Sequence, residues 1–244
     1  MRRGPLLTTF VIIGLLCFVA GMGAAYYRLA PYRLLTRMIS GTPLAQPHTP
    51  PAYRLWRDSY REAKGQGGVV MLGDSITRLG NWPAIFKRTD IINLGIPGDT
   101  TYGMIKRLDD GNISAGSSVF ILAGVNDVIT SIPIEETIAN LDWMVLRLSK
   151  RHRVYVQSTI FTDRPGWNGD IARLIEGERA LCAGGRCTFI DLNATLAPQG
   201  TLPPQHHADG IHLSPLAYAK WGEIVRRYLP PEPSPDTDHK QGDH

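Results

Sequence analysis

Between residues 53 and 229 the chain alternates two kinds of apolar pattern. Short continuous runs stand at 69–72, 91–94, 119–123, 154–157 and 188–190, mostly β-branched and bordered by Gly or Asp. That is the pattern of strands buried on both faces of a parallel sheet. The segments between them carry apolar residues at helical spacing. The clearest is Ile134, Ile138, Leu141, Val145 and Leu148, with Ser131 and Pro133 marking its start and Glu135 and Glu136 in its first turn. Tyr53, Trp56, Tyr60 and Ala63 predict a short amphipathic helix that opens the domain, and a last helix is expected from about 215 to 228, ahead of Pro230-Pro231. Such alternation predicts an α/β fold: a five-stranded parallel sheet between two layers of helices. In sheets of this kind ligands bind beyond the carboxyl ends of the strands.

The two ends of the chain read differently. Residues 6–25, LLTTFVIIGLLCFVAGMGAA, contain no charge, with Arg2 and Arg3 before them and Arg28, Arg33 and Arg37 after. About 20 apolar residues cross a bilayer, whereas a secretory signal needs an apolar region of roughly 7–15. The length favours an uncleaved membrane anchor, and Gly23-Ala24-Ala25 offers a cut that would make the segment a signal. Either way the rest of the chain is expected outside the cytoplasm, anchored to the membrane or secreted. The expected organisation is an anchor or signal at 1–28, a linker at 29–51 with the Pro-rich stretch GTPLAQPHTPP, a folded domain at 52–229 and a disordered polar tail at 230–244.

Charge follows the same division. The net +4 is made of +7 over residues 1–64 and −3 over residues 65–244. A nucleic-acid-binding domain carries its positive charge on the folded body, so that class is excluded. Cys17 falls within the apolar segment. Cys182 and Cys187, in LCAGGRC, read as two free thiols or, in an oxidising compartment, as a small-loop disulfide.

Four polar motifs follow the expected strands or precede the last helix: Gly73-Asp74-Ser75-Ile76-Thr77, then NLGIPGDTT at 93–101, then Gly124-Val125-Asn126-Asp127, then Asp209-Gly210-Ile211-His212. Each alone is no more than a turn with helix-capping residues. Their chemistry becomes specific in combination. A serine hydroxyl needs a base to become a nucleophile, and His212 can take its proton and return it to a leaving alcohol. Asp209, three residues before it, can reach the other ring nitrogen through a tight turn and fix the tautomer. Negative charge developing on a carbonyl oxygen calls for prepared donors: the N–H of Ser75, the N–H of Gly98 and the amide of Asn126.

With these four motifs in this order, residues 53–229 resemble the SGNH hydrolases, also called the GDSL family of esterases and lipases, and within them the bacterial branch related to platelet-activating-factor acetylhydrolase. The resemblance implies a flavodoxin-like three-layer domain. It implies Ser75 as nucleophile, Asp209 and His212 as orienting acid and base, and an oxyanion hole of Ser75, Gly98 and Asn126. It implies a serine esterase working through an acyl-enzyme on a short O-acyl ester, such as an O-acetyl group on an envelope saccharide or lipid. A lysophospholipase or thioesterase acting on longer chains, an O-acyltransferase, and a non-catalytic carbohydrate-binding protein are the other readings. No cofactor, metal or protein partner is required; the expected partners are the ester substrate and, through the N-terminal segment, the membrane.

Other residues carry weaker signals. His206 and His207 read as loop residues rather than metal ligands, for want of a carboxylate–histidine pattern with ligand spacing. His152 is expected to favour a helix end as a cation. Asp74 is expected to shape the turn that holds Ser75. Trp82 and Trp167 are read as packed loop aromatics, with stacking on a substrate as the alternative, and the loops 161–170 and 198–208 as the seat of specificity.

Overall fold

The computed structural model describes residues 17–18, 68–108 and 113–232. The expected opening helix, the linker, nearly all of the apolar N-terminal segment and the tail from 233 lie outside the described residues. Among the described residues no helix is long and apolar enough to cross a membrane.

The five expected strands are present within a residue or so: β1 (Val69–Gly73), β2 (Ile91–Gly95), β3 (Ser118–Leu122), β4 (Arg153–Gln157) and β5 (Thr188–Ile190). They form one sheet in the order β2-β1-β3-β4-β5, and every pairing is parallel. Register brings Gly73 level with Gly95 on one side and with Leu122 on the other. The carboxyl ends of β1, β2 and β3 therefore finish side by side. Strand order changes direction at β1, which makes the crevice beyond it the natural ligand site of such a sheet.

Alternation along the strands divides the core in two. Val70, Leu72, Val119, Ile121, Val154 and Val156 face one layer, which holds α3 (Thr101–Arg107), α5 (Ile134–Leu148) and α6 (Pro165–Cys182). Val69, Met71, Phe120, Leu122 and Ile190 face the other, with α1 (Ser75–Leu79), α2 (Trp82–Phe86), α7 (Asn193–Leu196) and α8 (Pro215–Arg226). The short α4 (Val125–Ile129) follows β3. Burial along the whole of β1 and β3 explains why those segments read as unbroken apolar runs rather than alternating ones.

Several expectations need adjusting. Helix α5 begins at Ile134 with Pro133 in the cap position, and Ser131 sits in the turn before the helix with φ of 65°. Trp82 is completely buried, edge-on to Trp221, and its indole N–H donates to the Thr77 carbonyl at 2.9 Å. It is core and not a substrate platform. Residues 165–170, expected in a loop, form the first turns of α6 with Pro165 opening the helix. Trp167 lies there, half-buried against the core, under the Arg164 guanidinium. Burial, then the Arg151 charge, pushes the His152 pKa down, so the cation expected at the end of α5 is disfavoured. Cys182 and Cys187 are joined in a disulfide at the end of the domain away from the β-strand carboxyl termini.

Candidate active site

Ser75 follows β1 directly and opens α1. Its turn is shaped by Asp74, as expected: the Asp74 carboxylate accepts the Ile76 N–H at 2.9 Å and caps the helix. Asn93 on β2 anchors the other end of α1, donating to the carbonyls of Thr77, Arg78 and Gly80 at 3.1–3.2 Å. The nucleophile candidate thus stands on a one-turn helix tied down at both ends.

The Asp209–His212 segment is a closed loop. His207 and Leu213 form an antiparallel bridge, and the Ala208 N–H donates to the His212 carbonyl at 2.8 Å. Within it Asp209 Oδ1 accepts the backbone N–H groups of Ile211 and His212 at 3.0 and 2.8 Å. Its Oδ2 lies 2.6 Å from His212 Nδ1, and His212 Nε2 lies 2.9 Å from Ser75 Oγ. A carboxylate only accepts, so Nδ1 carries the proton and Nε2 is left to accept from the serine hydroxyl. Partial burial pulls the Asp209 pKa up, but the His212 side chain and the two backbone donors outweigh it and hold the carboxyl at about 2. One contact sets this loop against the rest and a second closes it on itself. The Asp163 N–H donates to the Gly210 carbonyl at 2.8 Å, and the Gly210 N–H donates to His207 Nδ1 at 2.8 Å. On α8, the Tyr218 hydroxyl donates to the Ile76 carbonyl at 2.6 Å, linking the helix after His212 to the helix of Ser75.

Gly98 and Asn126 follow β2 and β3 and are half-buried at the same rim. Gly98 has φ of 73°, a conformation that a side chain at this position would strain. The Asn126 amide donates to the Asp99 carbonyl at 2.9 Å, so the two segments brace one another. Beneath them Asp127, fully buried, accepts the backbone N–H of Thr101 at 3.0 Å and its hydroxyl. Arg107 donates to Asp99 at 2.7 Å and to the Gly73 carbonyl at 2.9 Å, joining the loop after β2 to the end of β1. Burial raises Asp99 to about 6 even though Arg107 pulls it down; at neutral pH it is the carboxylate of a buried ion pair. Asp74 is raised further, to about 7, first by burial and then by the charges of Asp99 and Asp127, against the pull of the Ile76 N–H and His212.

All five expected site residues therefore meet at one rim: Ser75, His212 and Asp209 in a hydrogen-bonded row, Gly98 and Asn126 beside the serine's strand. His206 is buried with Nδ1 2.7 Å from the Leu196 carbonyl, a packing role. Sequence reading missed Asn93, Arg107, Asp127 and Asp163, whose partners are distant in the chain. It missed Glu178 as well, for which there was a signal. Ile171, Leu174, Glu178 and Cys182 share one buried stripe of α6, and an acid at an apolar position of a helical stripe is anomalous.

Parallel sheet, strand order and rim together define a three-layer α/β/α protein with a Ser–His–Asp row over the carboxyl end of its first strand. A family model for the GDSL-like lipase/acylhydrolase family matches residues 71–220, and the chain belongs to that family of ester hydrolases. Solved structures share the fold. A Streptococcus pneumoniae protein designated a platelet activating factor is 19% identical, with a TM-score of 0.68 over 80% of this chain and 98% of its own. A GDSL-like lipase from Bacteroides thetaiotaomicron is 22% identical, with a TM-score of 0.60 over 72% of this chain and 95% of its own. An acetylxylan esterase from Geobacillus stearothermophilus is 17% identical, with a TM-score of 0.57 over 69% of this chain and 96% of its own. Among curated proteins, N-acylneuraminate cytidylyltransferase of Streptococcus agalactiae is 24% identical over 153 residues, 61% of this chain. The chain spans about a third of that relative's length, 35%.

Proposed function

We propose that the protein is a serine esterase that removes a short acyl group, such as O-acetyl, from an envelope saccharide or lipid. The observation that carries this reading is the row from Asp209 through His212 to Ser75, with contacts of 2.6 and 2.9 Å. Ser75 Oγ attacks the ester carbonyl while its proton passes to His212 Nε2, and Asp209 stabilises the imidazolium. The oxyanion is received by the N–H groups of Ser75 and Gly98 and by the Asn126 amide. One Asn126 hydrogen is committed to the Asp99 carbonyl, which aims the other. Collapse expels the alcohol, protonated by His212, and leaves Ser75 acylated. Water, deprotonated by the same base, then releases the acid.

Two of these likenesses favour a saccharide ester: an acetylxylan esterase shares the fold, and the curated relative is an N-acylneuraminate cytidylyltransferase. For the location, the apolar segment at 6–25 and the bonded Cys182–Cys187 pair both favour an extracytoplasmic domain, anchored or secreted. The test is a series of aryl esters of increasing chain length, with acetylated polysaccharides alongside, on the detergent-solubilised full chain and its Ser75→Ala variant. Maximal turnover at the acetyl ester, abolished in the variant, is expected. A maximum at eight carbons or more overturns the short-acyl reading, and wild-type turnover in the variant overturns the mechanism. Asn126→Ala should lower kcat by about 10²–10³.

A further inference from the structure

Glu178 on α6 and Thr159, just past β4, are both buried away from water, and so is Ala123 at the end of β3. Thr159 Oγ1 lies 2.6 Å from the Ala123 carbonyl oxygen and 2.7 Å from Glu178 Oε1, while Glu178 Oε2 accepts the Thr159 N–H at 3.0 Å. A hydroxyl has one hydrogen, and a carbonyl oxygen cannot donate. Both short contacts are satisfied only when the hydroxyl donates to Ala123 and accepts from a carboxylic acid. Ala123 precedes Gly124, whose φ of 109° turns the chain into α4 and carries Asn126 to the rim. A Cβ on Gly124 would stand 3.0 Å from the same Thr159 hydroxyl, so that hydroxyl and the turn are in direct contact.

We propose that Glu178, as an uncharged carboxylic acid, is a positioning residue for Asn126: its Oε1–H donates to Thr159 Oγ1, whose own hydrogen fixes the Ala123 carbonyl and with it the Gly124 turn. The inference rests on the oxyanion role given to Asn126 above. Burial raises the Glu178 pKa to about 8, outweighing the Thr159 donors that lower it, with the nearby Asp191 charge raising it further. Asp191, just past β5, is itself paired with Arg179 at 2.9 Å; on α5, the apolar Ile138 faces the adjacent Gly177. On ionisation the carboxylate competes for the Thr159 hydrogen and wins it, since a charged acceptor makes the stronger bond. The Ala123 carbonyl is then released.

The test uses the full chain, a soluble acetyl ester, and kcat and KM measured from pH 6 to 9.5. In the wild type kcat should fall roughly five- to tenfold above pH 8, the worth of one buried hydrogen bond, with KM unchanged. Glu178→Gln offers an amide donor at the same place; it should match the wild type at pH 7 and lose this alkaline fall. Titrations of Asp74 and Asp99 are common to both proteins and drop out of the comparison. Thr159→Val should lower kcat by the same factor at pH 7 and match the wild type at pH 9.5, where the Ala123 carbonyl is already released, with no effect at pH 7 once Asn126 is already alanine. An alkaline fall that persists in Glu178→Gln overturns the proposal, as does a Thr159→Val loss that multiplies with the Asn126→Ala loss. If Asn126→Ala itself costs nothing, the oxyanion reading falls first.

Discussion

Asp209 and His212 stand three residues apart on one surface loop, their side chains 54% and 32% exposed, and their contact is closed by a single turn. Asn126, on the other side of the serine, hangs from bonds made at a distance along the chain. Its amide reaches back 27 residues to the Asp99 carbonyl, Asp127 reaches 26 to Thr101, and Arg107 reaches 34 to Gly73. The acid–base side is local, exposed and cheap to fold. The donor side is assembled from polar groups that are almost wholly buried. Each side suits the task proposed for it. A base must exchange protons with substrate and water, so it needs solvent access and a pKa its partner can hold. An oxyanion donor must already be in place before charge develops, so its support must be stiff and satisfied beforehand.

The comparison predicts that the two sides fail differently. The largest effect is expected from His212→Ala. It should lower kcat by about 10⁴–10⁶, as removal of the base does in serine hydrolases. It should cost no more than about 1 kcal/mol in urea unfolding, because the exposed loop retains its backbone bonds through Asp209. A large loss of stability in this variant, or a loss of rate below tenfold, would break the distinction.

Arg107→Met tests the buried side. The substitution leaves the Asp99 carboxylate enclosed with no cation and takes a donor from the Gly73 carbonyl, immediately before the Asp74-Ser75 turn. Removing one partner of a buried pair typically costs about 3–5 kcal/mol. Urea denaturation should show a loss in that range with an unchanged m-value, and the surviving folded enzyme should be slower as well. A loss under about 1 kcal/mol would mean that water or a protonated Asp99 replaces the arginine without strain, and the buried scaffold would not be the constraint described.

The same difference decides what could be read from sequence. Ser75, Gly98, Asn126, Asp209 and His212 were legible because each follows a strand or lies within a short motif, and the Asp209–His212 spacing is itself local. The strands were legible for a related reason: a strand covered on both faces, as β1 and β3 are throughout, has few polar positions to confuse its pattern. Asp99, Asp127 and Arg107 were not, since charged residues are ordinarily taken for surface and their partners are set only by the folded sheet. Residues 165–170 were misread because Pro and two glycines in PGWNGD resemble a loop, whereas Pro at the first helical position starts one. Trp82 was placed by Trp221 and Tyr218 of α8, brought to it by packing, beside Phe86 one turn on in its own helix.

The smallest expected effect concerns the pH dependence of stability, where the two sides should differ in sign. Asp209 is depressed from 3.8 to about 2 in the folded chain. Above about pH 5 both states are ionised and its stabilisation is complete; as pH falls from about 5 towards 2, the unfolded state takes up the proton first and the stabilisation is lost. Glu178 is raised from 4.5 to about 8, so the folded state keeps a proton that the unfolded state has released. Its contribution is complete well below pH 4.5, declines as pH rises from there, and is lost as pH passes 8. Asp209 is largely exposed, and solvent screening should hold its share to about 1 kcal/mol or less. Urea titrations from pH 2.5 to 9 on the wild type, Asp209→Asn and Glu178→Gln would separate the two. Asp209→Asn should flatten the acid limb alone, and Glu178→Gln the alkaline limb alone. If Asp209→Asn instead altered the slope above pH 5, the exposed and buried sides would be coupled through the protein, and their separation into a titrating loop and a neutral scaffold would fail.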